Sequence, residues 1–582
     1  NEKDSVLMTF LHKEGMNILR EYGRHPSFAM MALGNELWGS VPAMRRFADD
    51  FRRVAPQILF TFGSNYYLGY QGIQPGMDYI TTCRLGGEAW GAYNTHTRGS
   101  FSFADAADGG MLNHWRPNSS MNFDAACNTA TVPVISHETG QFQSYPDFDR
   151  EIPEYLGVLR PYNMSVFRRR LSRAGMLDQM AAFHRASGAW SVELYKADIE
   201  MDLRTRNMAG FQLLDLQDYP GQGSAYVGVL DANLRDKGLV TPERWRQWCA
   251  PVVPLLIADS LCWAENDTLR MSIEVANYSG QSLAGKTLCW TLEALGPQTA
   301  ATQSIGMEGS LTLPGGEGLI SVGALPRTSG AEVLRRLRAA IGEGWRRASL
   351  RLTLAIAGTD YRNSYQLWCY PDDDLAQAKK GILITRQMTD AVVKRLQQGA
   401  RVLWMPDTTA LKNTVGPLFI TDYWNYRMFK TICENNHKAV SPGTLGILTD
   451  PSHPLFNSFA TEGHTNWQWF PVVKSSHSLV LDNLPKHYRP IVQVIDNIER
   501  NHRLGLVFEF RVGRGSLLVC MSDLEQAAAH PEGRAFYLSL LRYMHSSAFA
   551  PAATFSWSEL HSLLTDNVKE GKLHQLFNTT QY

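Results

Sequence analysis

The sequence predicts a multidomain protein in which the C-terminal part of a (β/α)8 TIM barrel is followed by an antiparallel β-sandwich and then by an α/β domain. Three observations carry this. The chain of 582 residues is longer than one hydrophobic core organises. Within residues 1–254, short apolar runs that end in polar residues recur, separated by helical or irregular stretches, as in strands buried on both faces of a parallel sheet. From about residue 255 the texture changes to alternating apolar and polar residues punctuated by Gly, Pro, Ser and Asn, and after the PDDD run at 371–374 it changes again to a strand, helix, strand succession.

Residues 5–22, SVLMTFLHKEGMNILREY, repeat apolar positions at the helical period, with Asp4 as N-cap and Gly23 and Pro26 as the stop. FAMMALGNE, ILFTFGSN, DYITTC, VPVISHETG and AGFQLLDLQD then read as five buried strands. A closed barrel needs eight. Three strands are therefore expected before Asn1, in a missing N-terminal segment of the same protein, without which the chain alone should be poorly soluble or inactive. Residues 255–372 form the sandwich, through TLRMSIEVAN, KTLCWTLEAL, GLISVGALP, SLRLTLAIAG and YRNSYQLWCY, with AEVLRRLRAAIG as a surface helix. Residues 373–550 contain GILITRQ, MTDAVVKRLQQGA and RVLWMPD, the unit of a parallel α/β sheet, and residues 551–582 read as a peripheral tail.

Lys+Arg and Asp+Glu both number 56, which sets aside partners held by charge, nucleic acid and anionic membranes among them. The eight cysteines are scattered with no C-x-x-C pair, so neither a zinc site nor a disulfide scaffold is indicated, and no metal or cofactor is expected. No apolar run reaches the roughly 18 residues of a membrane span. The 15 Trp and 22 Tyr supply flat amphipathic rings of the kind that stack on sugars.

Glu36 and Glu138 each follow an apolar strand, at the sheet end where barrel active sites form. Two carboxyl groups flanking a glycosidic bond are the usual means of passing an oxocarbenium-like transition state; in a retaining enzyme they stand roughly 5–5.5 Å apart. One attacks the anomeric carbon; the other protonates the leaving oxygen and later activates water. An open sheet hydrolysing esters or amides is the rival reading, but no G-x-S-x-G elbow supports it.

HPSFAMMALGNELWGS resembles the acid/base strand of glycoside hydrolase family 2, and VPVISHETGQFQSYPDF resembles that family's nucleophile strand. The resemblance covers under half of the chain. It implies a retaining, exo-acting, β-galactosidase-like glycosidase that cuts terminal sugars from oligo- or polysaccharides, with Glu36 as acid/base and Glu138 as nucleophile. It further implies a contact from Asn35 to the sugar 2-hydroxyl, and a periplasmic or secreted location. β-Mannosidase, another specificity of the family and a non-catalytic sugar-binding protein are the alternatives, and a homo-oligomer stays open. Trp38, Trp90, His96, Trp115, His137 and Tyr145 are candidates for the sugar platform. Two departures bear on substrate. The eighth strand, GFQLLDLQDYPGQG, lacks the family's tryptophan, so Gln217 and Asp218 are candidates in its place; the Asn-x-Lys signature of the family's β-glucuronidases is absent. Residues 375–550 resemble the flavodoxin-like or class I amidotransferase-like module of some carbohydrate-active enzymes. Neither Cys433 nor Cys520 sits on a glycine-flanked elbow, so a structural or binding role is expected there.

Overall fold

In a computed structural model, residues 5–37, 39–64, 72–85, 97–99, 110–222, 225–296, 302–407 and 411–566 are described. The expected first helix, α1 (Ser5–Tyr22), buries Gly15 and Leu19 against α2 (Val41–Val54). A Cβ on Gly15 would lie 2.2 Å from the Phe51 ring, so glycine permits the contact. The proposed cap Asp4 lies outside the described residues.

Five parallel strands follow in chain order: β1 (Met30–Ala32), β2 (Leu59–Thr61), β3 (Ile80–Thr82), β4 (Val134–Gly140) and β5 (Met208–Leu214). β1 pairs β2, β3 pairs β4 and β4 pairs β5. Single bridges from Ser64 to Asn35 and to Thr81 join the first pair to the other three. Among the described residues these strands do not close into a barrel; β1 and β5 are edges. β3 is buried at every position, as expected, but at β1 and the start of β2 the expectation of burial on both faces fails. Met30 and Leu59, register partners, are 37% and 46% exposed, because nothing described packs over that side. Beneath the sheet, α3 (Tyr162–Arg173) precedes the 24-residue α4 (Met180–Leu203), which packs on β4 and β5 and on the strand Thr444–Thr449 far downstream.

The next strands form a five-stranded sheet, in the order Thr302–Thr312, Thr287–Leu295, Ser349–Ile356, Arg362–Tyr370 and Cys262–Ala264, and a three-stranded one, in the order Gly318–Ala324, Ser272–Asn277 and Val252–Ile257. Alternation is clear in Ser349–Ile356, where Leu350, Leu352, Leu354 and Ile356 are buried. Three of these strands escaped the sequence reading, the short Cys262–Ala264 and two longer ones for opposite reasons. Val252–Ile257 is an unbroken buried run without a polar face, whereas Thr302–Thr312 is polar, glycine-containing and largely exposed. The helix Gly330–Ile341 buries Val333, Leu334 and Leu337, with Ser329 as its N-cap.

The last sheet has nine strands. Leu383–Thr385, Arg401–Trp404 and Gly515–Cys520 are parallel, with the helix Asp390–Gln397 between the first two, as expected. The remainder departs from a wholly parallel sheet: Arg503–Val512 runs antiparallel to Gly515–Cys520. Only Gly513 and Arg514 separate them, and so short a loop can return the chain only antiparallel; Gly513, at φ 61°, supplies the turn. The tail is not peripheral as far as it is described. Thr554–Phe555 pairs with Arg503–Val512, and the helix Trp557–Thr565 buries Leu560 and Leu564 in the core of this sheet. No described helix is long and apolar enough to cross a membrane.

Just past β5 a buried cluster sets three carboxyl groups, Glu151, Asp218 and Asp231, against one ammonium, Lys237. Lys237 Nζ donates to Asp218 Oδ1 (3.0 Å), Ser144 Oγ (2.8 Å) and the Gly228 carbonyl (3.0 Å). Burial first, then the Asp218 charge, pushes the Glu151 carboxyl up to about 8, and burial raises Asp218 as well. The folded state therefore holds a proton that the unfolded chain releases above about 4.5. Stability should fall as pH rises from about 4.5 towards about 8, and Glu151→Gln should flatten that decline in urea titrations run at several pH values. Leu560→Ala, deleting a fully buried side chain, should cost about 2–5 kcal/mol in the same measurement.

Candidate functional site

Beyond β1 the chain continues Gly34, Asn35, Glu36. Asn35 bridges to Ser64, whose Oγ donates to Asn35 Oδ1 (2.9 Å), and the Glu36 amide donates to the Ser64 carbonyl (2.9 Å). Glu36 has φ 47°, in the left-handed region. β4 carries the second glutamate on a bulge. Ser136 pairs Phe211 and Thr139 pairs Leu213, so His137 and Glu138 together oppose Gln212 alone. Glu138 has φ 56°. Conformations of this kind cost about 1–3 kcal/mol each in a residue with a Cβ, and they persist where surrounding contacts enforce them. Here the bulge re-aims both side chains.

His137 ties the two strand ends together. Its Nδ1 meets Gln212 Oε1 at 2.8 Å, while its Nε2 lies 3.0 Å from Asn35 Oδ1 and 3.5 Å from Glu138 Oε1. On the other side Gln141 Nε2 donates to Glu138 Oε2 (3.1 Å), and Arg98 Nη1 donates to the Glu138 carbonyl (2.8 Å) and stands 3.9 Å from Oε2. Arg98 Nη2 donates to Tyr423 Oη (2.6 Å).

The two carboxyl groups are driven apart. Loss of hydration and then the Glu138 charge raise Glu36 above the usual carboxylate range, against His137 and Arg98. Burial also works to raise Glu138, but the His137 hydrogen bond and charge, Arg98 and Gln141 outweigh it and hold that carboxyl low. One group that keeps its proton beside one that gives it up is the arrangement that acid and nucleophile roles require.

The remaining candidates separate. Asn35 and His137 belong to this cluster. Tyr145 does not: it is fully buried, its Oη donates to Asn501 Oδ1 (2.6 Å), and its ring packs on Phe148 and Phe183, so no face is left for a sugar. Gln217 is half-buried and bridges to Leu230; Asp218 is committed to Lys237. Trp115 is 43% exposed on its loop, and Trp38, Trp90 and His96 lie outside the described residues. Among the described residues no group of His, Cys, Asp and Glu is arranged to hold a metal. Arg98, Gln141, Gln212 and Tyr423 were not singled out from the sequence. Gln141, three residues after Glu138, was the most accessible of them; Tyr423, 285 positions beyond Glu138, carries no local signal.

Two family models match parts of the chain, both described as domains of unknown function: DUF8488 at residues 267–371 and DUF8487 at residues 383–565. No curated protein matches the chain. Solved structures with some likeness include β-glucuronidase 3 of Bacteroides uniformis (11% identity, TM-score 0.26, covering 62% of this chain and 39% of that one) and the β-glucuronidase of Parabacteroides merdae (10%, 0.25, 64% and 39%). An exo-β-1,4-mannosidase from Opitutaceae bacterium strain TAV5 has 13% identity and a TM-score of 0.21, covering 94% and 78%. The chain spans less than half the length of both β-glucuronidases. The chemistry of the site therefore rests on its own residues.

His137→Ala removes the hydrogen bond and charge that do most to lower Glu138. The Glu138 carboxyl should then titrate at higher pH, read as the infrared carboxylate signal lost on Glu138→Gln; an unmoved titration would contradict the role given to His137.

Proposed function

We propose that this chain carries the catalytic pair of a retaining β-glycosidase, with Glu138 as nucleophile and Glu36 as general acid and base. The observation that carries the reading is the unequal surroundings of two carboxyl groups at the ends of β1 and β4: His137, Gln141 and Arg98 gather on Glu138 and lower it, while burial and the Glu138 charge raise Glu36. In the first step Glu138 Oε attacks the anomeric carbon while Glu36 gives its proton to the leaving oxygen, leaving a covalent glycosyl-enzyme. In the second, Glu36, now a carboxylate, takes a proton from water, which attacks the same carbon and releases Glu138. Two inversions give net retention.

Within this reading residues 1–254 are the later part of a (β/α)8 barrel, which the five parallel strands in chain order support. Residues 255–372 are an immunoglobulin-like sandwich and residues 373–550 an α/β module. The resemblance to glycoside hydrolase family 2 favours exo-action on terminal sugars of oligo- or polysaccharides, β-galactosidase-like before β-mannosidase-like. Asn35 already accepts from Ser64 and faces His137, so a contact with the sugar 2-hydroxyl would use its amide Nδ2.

A 2-deoxy-2-fluoro glycosyl fluoride should label Glu138, found by peptide mass spectrometry, and Glu138→Gln should abolish labelling. Glu36→Gln should slow hydrolysis of substrates with poor leaving groups by about 10²–10⁴-fold and of activated aryl glycosides far less, because the latter need little protonation. Equal losses on both substrates would overturn the role of Glu36, an inverted first product would overturn the mechanism, and sugar binding without labelling would favour a non-catalytic binding protein.

A further inference from the structure

We propose that Tyr423, contributed by the C-terminal sheet region, is a positioning residue for this reaction, fixing the Arg98 guanidinium against Glu138. The inference rests on the reading of Glu138 as nucleophile. Tyr423 lies between the strand Thr414–Val415 and the helix Tyr426–Asn435, in a segment laid along the backbone that follows Glu138. Phe142 and Tyr423 form an antiparallel bridge, the Trp424 amide donates to the Gln141 carbonyl (3.1 Å), and the Gln143 amide donates to the Asp422 carbonyl (3.1 Å). Past β5 the same segment is held again, since Trp424 Nε1 donates to Gln222 Oε1 (2.6 Å) and Asn425 Nδ2 to the Gln222 carbonyl. Trp424 itself has φ 48°, a conformation that this double attachment enforces.

So placed, the Tyr423 hydroxyl accepts from Arg98 Nη2 at 2.6 Å, with the guanidinium 5.1 Å from the centre of the ring. Arg98 is 1% exposed, and its Nε has no hydrogen-bond partner among the described residues. Among the described residues its guanidinium makes two hydrogen bonds, Nη1 to the Glu138 carbonyl and Nη2 to Tyr423, and its orientation rests on them. Phenylalanine at 423 keeps the ring and removes the acceptor, leaving part of a buried cation unmatched and free to turn from Glu138. Burial raises the Tyr423 hydroxyl, which favours its neutral form, and that form still has an oxygen lone pair for Arg98. Among the described residues the charged and titratable groups around Glu138 are Glu36, His137, Arg98 and Tyr423; those around Arg98 are Tyr423, Cys83, Glu138 and Asp198. Of these, Tyr423 alone comes from beyond residue 254. An ionised Glu138 is needed both to attack and to leave, so weaker support from Arg98 should slow both steps.

The test compares Tyr423→Phe, Arg98→Lys and the double variant in the full chain. Tyr423→Phe should lower kcat by about ten- to a hundredfold, the range for one hydrogen bond to a charged group, with KM little changed. The Glu138 carboxyl, followed by its infrared signal, should titrate at higher pH, moving the acid limb of the kcat/KM profile upward with it. Because Tyr423 acts through Arg98, the double variant should lose no more than Arg98→Lys alone. Additive losses, or an unmoved Glu138 titration, would overturn the inference whether or not the protein turns over glycosides. An upward titration shift in Tyr423→Phe, together with a wild-type protein that is never labelled at Glu138, would overturn the glycosidase reading and leave the positioning contact standing.

Discussion

A guanidinium taken almost wholly out of water must find acceptors for its protons and a fixed backbone to reach them from, and the placement of Arg98 draws on three separate stretches of chain. One is the bulged strand β4, which offers the Glu138 carbonyl and carboxylate. A second is the segment around Tyr423. The third is the backbone beside Arg98 itself, where the Gly99 amide donates to Asp198 Oδ1 on α4. Asp198 Oδ2 accepts from the Gly140 amide (3.0 Å), so one buried carboxylate on α4 holds both the Arg98 loop and the end of the Glu138 strand. Displacing any one of these elements leaves a buried donor or acceptor without its partner, at a cost of about 1–3 kcal/mol or more for a charged group.

That coupling explains why α4 carries so many buried polar groups. Beyond Asp198, Lys196 pairs with Glu200, which also accepts from Arg204 (3.3 Å), Asn363 (2.8 Å) and Tyr365 (3.0 Å), the last two on a strand of the five-stranded sheet. Trp190 Nε1 donates to the Phe419 carbonyl (2.8 Å), a few residues before Tyr423. One helix thus fixes the parallel strands, the five-stranded sheet and the last sheet by directional bonds as well as by apolar packing, and directional bonds set orientation more sharply than contact area does.

Much of this was legible in the sequence wherever a single segment decides the outcome. α1 follows from its helical period, the parallel strands from apolar runs closed by polar residues, and the two glutamates from their place after such runs. What could not be read is set between segments. The hairpin at Gly513 and Arg514 was in view as a Gly-Arg-Gly turn, but the strand, helix, strand pattern before it suggested a parallel continuation. Tyr145 resembled a sugar platform from its position after β4, whereas its environment is decided by Asn501, 356 residues away. Tyr423 carries no motif; its meaning lies wholly in the guanidinium it meets.

The glutamates themselves make the same point in electrostatic form. Both follow parallel strands, both hold left-handed backbone, and as residue types they are identical. Burial does not divide them, because it works to raise each carboxyl. The division comes from the bulge, which puts His137 beside Glu138, and from Arg98, which stands behind Glu138 and is itself fixed from elsewhere. The Glu138 charge is in turn the second cause of the rise at Glu36, after burial. The asymmetry is self-reinforcing: each contact that lowers Glu138 keeps it charged, and that charge favours the protonated form of its neighbour. A pair of equal residues is thereby given opposite shifts by the groups placed on one side of it.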